Sequence, residues 1–285
     1  MDRVIRGILN GGKVRIFLAD TSITSKKICK IQSEHPIVSD ILSRLISVGA
    51  IMGAMQKDGK LTIKMETAGL LKSIVIDANY KGDIRALVNS VDIPLEENDF
   101  DKIVANGLGF LSVAKDLGLK HNFSSQVLLQ SGKIGDDFTH YFKESEQVDS
   151  VVSVGTIINE KEFKSGALII QLMPGADDVD YRYIEGLVYQ LPNMKEILRV
   201  KDLNAALIEL FPEIEILGES PVRFKCNCSK SRYRNSLKLL STAELKNILN
   251  DDKDEAIEAT CSFCYKHYTF TKEEIRKIIE EKEKN

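Results

Sequence analysis

The chain has 285 residues, room for one large domain or two ordinary ones. With 43% hydrophobic and 28% charged residues it can bury a sizeable core, which excludes a disordered, collagenous or disulfide-dense chain. A net charge of -3, no tryptophan and 7% aromatic residues leave no whole-molecule case for nucleic acid as the main partner and no stacking surface for single strands.

The opening residues Met1-Asp2-Arg3-Val4-Ile5-Arg6 carry charges where a secretory signal needs an apolar run. Residues 13–20 (KVRIFLAD) are predicted to form the first strand. Ile37, Ile41, Leu42, Leu45, Ile46, Val48 and Met52 recur at helical spacing, with Pro36 suited to the first turn. Gly49, Ala50, Gly53 and Ala54 give this helix a smooth side for close packing. Its longest uncharged stretch, residues 45–56, is short of the roughly 20 residues that span a bilayer. The expected home is therefore the cytoplasm, with no membrane partner.

Asp58-Gly59 marks a turn, and strands are predicted over residues 61–65, 73–78, 84–88, 110–114 and 126–129. Residues 136–147 read as a short helix with Phe138, Tyr141 and Phe142 inward, while residues 151–158 and 167–172 fit strand or helix equally. The expectation is an α+β fold: a large mixed domain over residues 1–175, a helical connector over 176–220 and a small C-terminal domain over 221–285.

The connector stands apart in charge. Residues 177–219 hold ten acidic and four basic residues, net -6, and residues 221–285 are net +3. Apolar stripes on the connector, Tyr183-Ile184-Leu187-Val188-Leu191 and Leu203-Ala206-Leu207-Leu210, predict two helices that need covering.

Four of the five cysteines lie in the tail: Cys226-Asn227-Cys228 and Cys261-Ser262-Phe263-Cys264. Two short thiolate pairs brought together by a loop are what a tetrahedral zinc ion needs, so Cys226, Cys228, Cys261 and Cys264 are predicted to hold one Zn²⁺ per chain. A strand before Cys261 and another after Cys264 predict a hairpin, not the helix start of a thioredoxin-like motif. A core in so short a segment rarely supplies more than about 3–5 kcal/mol. Apparent structural zinc binding is worth about 10–16 kcal/mol, so the tail is expected to fold with zinc and unfold without it. Arg223, Lys225, Lys230, Arg232 and Arg234 surround the first pair and are expected to offset its charge and activate its thiolates. Their bland reading is simple charge balance; an RNA phosphate patch is the alternative. His267 reads as an exposed strand residue and Cys29 as a small, partly buried one.

No catalytic constellation stands out, and the chain is not expected to be an enzyme. Gly107-Leu108-Gly109 is only the front of a dinucleotide fingerprint, Gly132-Lys133 lacks the rest of a P-loop, and His35, His121 and His140 have no nucleophile motif nearby.

Several segments together resemble one family. Phe224-Lys225-Cys226-Asn227-Cys228-Ser229-Lys230-Ser231-Arg232 is similar to a Cys-x-Cys-Ser-x-x-Arg signature, and Cys261 to Cys264 followed by Tyr268 and Phe270 to its second pair. Gly53-Ala54-Met55 with Gly59-Lys60-Leu61-Thr62, Ser145-Glu146-Gln147 and Gln171-Leu172-Met173-Pro174-Gly175 carry the likeness through the large domain. The family is that of the redox-regulated 33 kDa heat-shock chaperones. The resemblance implies an ATP-independent holdase, inactive when reduced and zinc-bound. It implies that oxidation links Cys226 to Cys228 and Cys261 to Cys264, releases zinc, unfolds the tail and loosens the connector. It also implies that the active form is a homodimer that binds unfolding client proteins. The alternative from another class is a zinc-ribbon RNA-binding protein using Arg223 to Arg234.

Overall fold

Pro36 opens a 20-residue helix whose apolar residues run round most of its circumference, and such a helix must be covered on several sides. The computed structural model, which describes all residues except 117, 119–122, 251–255, 284 and 285, does this by placing the helix between two sheets. The chain divides into two compact units, Met1–Lys225 and Cys226–Asn285.

The first unit begins β1 (Arg3–Leu9), β2 (Val14–Asp20), α1 (Ser22–Gln32) and α2 (Pro36–Met55). It continues β3 (Lys60–Thr67), β4 (Leu71–Asn79), β5 (Asp83–Ser90), α3 (Phe100–Val104), β6 (Gly109–Asp116) and β7 (Phe123–Leu128). Then come α4 (Ile134–Tyr141), β8 (Ser150–Ile158) and β9 (Phe163–Leu172). Residues 177–219 supply α5 (Asp178–Gln190), α6 (Met194–Ile197) and α7 (Leu203–Leu210), and β10 (Glu215–Pro221) and β11 (Arg223–Phe224) close the unit.

One sheet has the order β10-β1-β2-β9-β8 and is antiparallel throughout; the other has the order β11-β5-β4-β3-β6-β7, with β11 alone parallel to its neighbour. Helix α2 packs on β4 and β5 on one side and on β9, β8 and β2 on the other. The predicted smooth side is where it comes closest: a Cβ on Gly53 would stand 3.0 Å from the Asn79 carbonyl oxygen. Among the described residues α2 is the one helix long and apolar enough to cross a membrane, and 83% of its apolar window is buried inside the protein. Its Asp40 and Arg44 pair with each other at 2.9 Å.

The five-stranded sheet is covered on both faces. Phe17, Ala19, Ala167 and Ile169 point into the core around α2. Their strand neighbours Ile16, Leu18, Leu168 and Ile170 point the other way, into a second core. Two buried faces remove the polar half of the alternation, which is why residues 151–158 and 167–172 carried no strand signature. Both are strands.

The second core is roofed by the connector. Ile184, Met194, Ile197, Leu198, Leu203, Leu207 and Phe211 are all buried there against the sheet, and every non-sheet member of this cluster comes from residues 183–216. Both predicted stripes therefore have a partner, and residues 177–219 belong to the first compact unit. Asp177 caps α5 reciprocally with Asp180, and Lys13 Nζ reaches Asp180 at 2.8 Å and Asp177 at 3.4 Å.

Several elements escaped the sequence. Strand β1 precedes the strand taken as first, and α1 follows it. Helix α1 begins on borrowed caps: Asp20 accepts from Ser22 N at 2.9 Å, and Asp2 accepts from Ile23 N at 3.1 Å and Thr24 N at 2.6 Å. The second unit contains α8 (Lys230–Leu237), α9 (Thr242–Asn250), β12 (Ala256–Thr260), β13 (His267–Thr271) and α10 (Lys272–Glu283). Its α8 and α9 were not anticipated, whereas the β12–β13 hairpin and the charged helix α10 were.

Candidate metal centre

Each pair of cysteines is presented by a short, well-tied stretch of chain. After β11, residues 225–229 carry no regular secondary structure, and Ser229 caps α8 by accepting from Arg232 N at 3.3 Å. The Arg232 guanidinium turns back to donate to the Asn227 carbonyl oxygen at 2.9 Å, holding the loop between Cys226 and Cys228. The second pair occupies the tip of the β12–β13 hairpin. There Cys264 N donates to the Cys261 carbonyl oxygen at 3.3 Å and Tyr265 N to the same oxygen at 2.7 Å, with Tyr265 in the left-handed region at φ 52°.

This brings the four predicted sulfurs together: all lie within 4.8 Å of one another. Cys226 Sγ is 3.7 Å from Cys261 Sγ, and Cys228 Sγ is 3.4 Å from Cys264 Sγ. Sulfurs held about 2.3 Å from one tetrahedral ion stand about 3.8 Å apart, so the spacing fits a metal ion. No disulfide joins any of the cysteines.

The thiols also show the need for a cation. Burial pushes Cys261 up, but the Phe263 and Cys264 backbone N–H groups and the Tyr233 hydroxyl outweigh it and bring the thiol down to about 7. Burial together with the neighbouring sulfurs pushes Cys264 up to about 12. Four thiols in one cage do not ionise together without a positive charge among them. Around the cage, Tyr268 donates its hydroxyl to Cys228 Sγ at 3.1 Å and stacks beside Tyr233, with ring centroids 5.1 Å apart.

The basic residues do something other than expected. Arg223 and Lys225 reach Asp83 at 2.7 and 3.0 Å, Lys230 reaches Glu274 at 2.7 Å, and Arg234 reaches Glu281 at 2.5 Å. Cys261 is brought down by backbone amides and a tyrosine, while the cations near the first pair in sequence are engaged elsewhere, four of them by carboxylates and Arg232 by a backbone carbonyl. The same pairing weakens the phosphate patch that an RNA-binding ribbon would need. Tyr233 and Asp83 were not singled out from sequence, and Tyr268 entered only as part of the resemblance; their closeness in space gives each its role.

The remaining candidates fall into structural places. Cys29 is buried beside Ser43 Oγ at 3.3 Å. His267 is exposed on β13 and pairs with Glu258. His35 accepts from Val38 N at the start of α2, His140 lies in α4, and His121 is outside the described residues. Gly109 sits at φ 158° where a Cβ would strike the Glu66 carbonyl oxygen at 1.9 Å, so strand packing demands this glycine.

Comparison with known proteins decides the family. The model of the family described as Hsp33 protein matches residues 2–271. The chain belongs to the Hsp33 family. The 33 kDa chaperonin of Bacillus pumilus is 36% identical over 99% of each chain, and that of Bacillus subtilis is 37% identical over 96% of this chain and 97% of its own. The crystal structure of the 33 kDa chaperonin from Thermotoga maritima has the same fold, with a TM-score of 0.86 over 100% of this chain and 99% of that one at 24% identity. As a member of the Hsp33 family the chain is a chaperone, and its four clustered cysteines are positioned to hold a metal ion.

Proposed function

We propose that the chain is a redox-regulated, ATP-independent holdase of the cytoplasm, held inactive by one Zn²⁺ on Cys226, Cys228, Cys261 and Cys264. Four soft thiolate ligands favour zinc over harder divalent ions. The observation that carries the reading is the second core: a face of the five-stranded sheet, bearing Ile16, Leu18, Leu168 and Ile170, roofed by connector residues. A chaperone needs an apolar surface that is hidden at rest and available under stress, and a roof that can lift supplies one.

In this reading peroxide takes two electrons from each thiolate pair. One thiolate attacks a peroxide oxygen and becomes a sulfenic acid as the O–O bond breaks and the other oxygen leaves as water; the neighbouring thiolate then attacks that sulfur, forming the S–S bond and expelling the sulfenic oxygen as a second water. Disulfides give zinc no thiolate, so the ion departs and its binding energy is lost to the small lobe. The links proposed are Cys226–Cys228 and Cys261–Cys264. The connector then loosens, and the uncovered sheet face takes up unfolding clients, with the active form a homodimer.

Light scattering from a heat-unfolding client protein tests this. Peroxide-treated protein should suppress aggregation, reduced zinc-loaded protein should not, and ATP should change neither. Equal suppression by the reduced form would make the molecule a constitutive binder whose metal is only a staple.

A further inference from the structure

The route from the metal lobe to the connector runs through residues 221–225. The chain leaves β10, crosses the turn between β4 and β5, pairs as β11 along β5 and reaches Cys226 one residue after Lys225. Disorder spreading from the metal lobe toward the connector meets β11 first.

That crossing is built around one carboxylate. Asp83 is buried, with 7% of its side chain exposed, and accepts from Arg223 Nε at 2.7 Å, Lys225 Nζ at 3.0 Å and Asn79 Nδ2 at 3.4 Å. Arg223 N donates to the Gly82 carbonyl oxygen at 2.9 Å and Lys225 N to that of Ile84 at 3.0 Å. Gly82 has φ 75°, and a Cβ there would stand 1.6 Å from the Pro221 carbonyl oxygen, so the strand passes over a bare backbone. Val222 is buried, its N–H donates to the Asp2 carbonyl oxygen at 3.0 Å, and Phe224 packs on the main core beneath Lys27.

We propose that Asp83 is the positioning residue that sets how strongly the state of the metal centre is felt by the connector. The two ion pairs fasten the last residues before Cys226 to the edge of the second sheet. While they hold, loss of metal stops at β11; once they yield, β10 and the connector lose their C-terminal anchor. Two charge-assisted bonds to one buried oxygen pair form a local unit that opens as a step of its own. The inference rests on the proposed function and extends it to a residue far from any cysteine in sequence.

The test is a peroxide titration of the full-length zinc-loaded protein with two readouts: zinc release to a chelating dye, and protease cleavage within residues 177–219 mapped by mass. Wild-type protein should release zinc before its connector is cut. Asp83→Asn should release zinc at the same peroxide level but be cut roughly tenfold faster at equal zinc release, the factor expected for one lost charge-assisted bond. Arg223→Gln/Lys225→Gln alters only half-exposed side chains and should reproduce it. The reversed pairing Asp83→Lys/Arg223→Glu/Lys225→Glu should restore the wild-type lag. Wild-type cleavage rates in both uncoupled variants would overturn the proposal, as would a reversed variant no better than Asp83→Asn. An intact connector in every protein after complete zinc release would instead overturn the switch itself.

Discussion

Cys29 and Cys261 are both buried cysteines, and their surroundings send them opposite ways. Cys29 lies in the main core, where burial pushes its thiol up despite hydrogen bonding with Ser43 and Ser39. Cys261 has backbone amides aimed at it. The thiolate is the reactive form, so oxidant should spare Cys29. In reduced protein, Cys29→Ser should retain stoichiometric zinc by metal analysis, whereas Cys226→Ser/Cys261→Ser should lose it. Asp83 offers a pH test at the same scale. Burial would raise its carboxyl, but Arg223 and Lys225 outweigh this and hold it below the ordinary 3.8. A group depressed in the folded state stabilises above its unfolded value and loses that contribution as pH falls through the folded one. The clasp should thus be intact near neutrality and fail below about pH 4. Pepsin cleavage of the connector should rise as pH falls below 3.8, and less steeply in Asp83→Asn.

At the scale of elements, the connector is held by side chains that could each be trimmed. Leu207 of α7 is fully buried in the second core. Leu207→Ala should cost about 2–5 kcal/mol of local stability. The expected result is connector cleavage and dye binding in reduced, zinc-loaded protein, with the main core intact. Unchanged protease resistance would mean that α7 contributes little to the roof. The helices themselves were legible in the two apolar stripes, which repeat at helical spacing; the capping box of Asp177 and Asp180 came only with the structure. What they cover was not legible, because a stripe states that a helix needs a partner without naming it.

The whole molecule divides its stability unevenly. Among the described residues the core cluster of the second unit has six buried members, Leu245, Tyr268, Phe270, Ile275, Ile278 and Ile279, against a far larger set around α2. Removing the metal with a chelator under reducing conditions should therefore unfold Cys226–Asn285 and spare the β1–β9 frame. Hydrogen exchange should show α8 and α10 losing protection while α2 keeps it. Protection of α10 at its metal-loaded level would show that the lobe's own core suffices. The sequence by itself determined the cluster of four cysteines, the hairpin that carries its second pair, the central helix and the change of character after residue 175. Each is local: a spacing, a period or a run of charge. Only the tertiary structure decided that basic residues near Cys226 serve Asp83 and other carboxylates, that β10 joins the first strand, and that Asp2 caps α1. Those choices pair residues up to about two hundred positions apart, and a charge or an unpaired strand edge carries no mark of which distant partner will satisfy it.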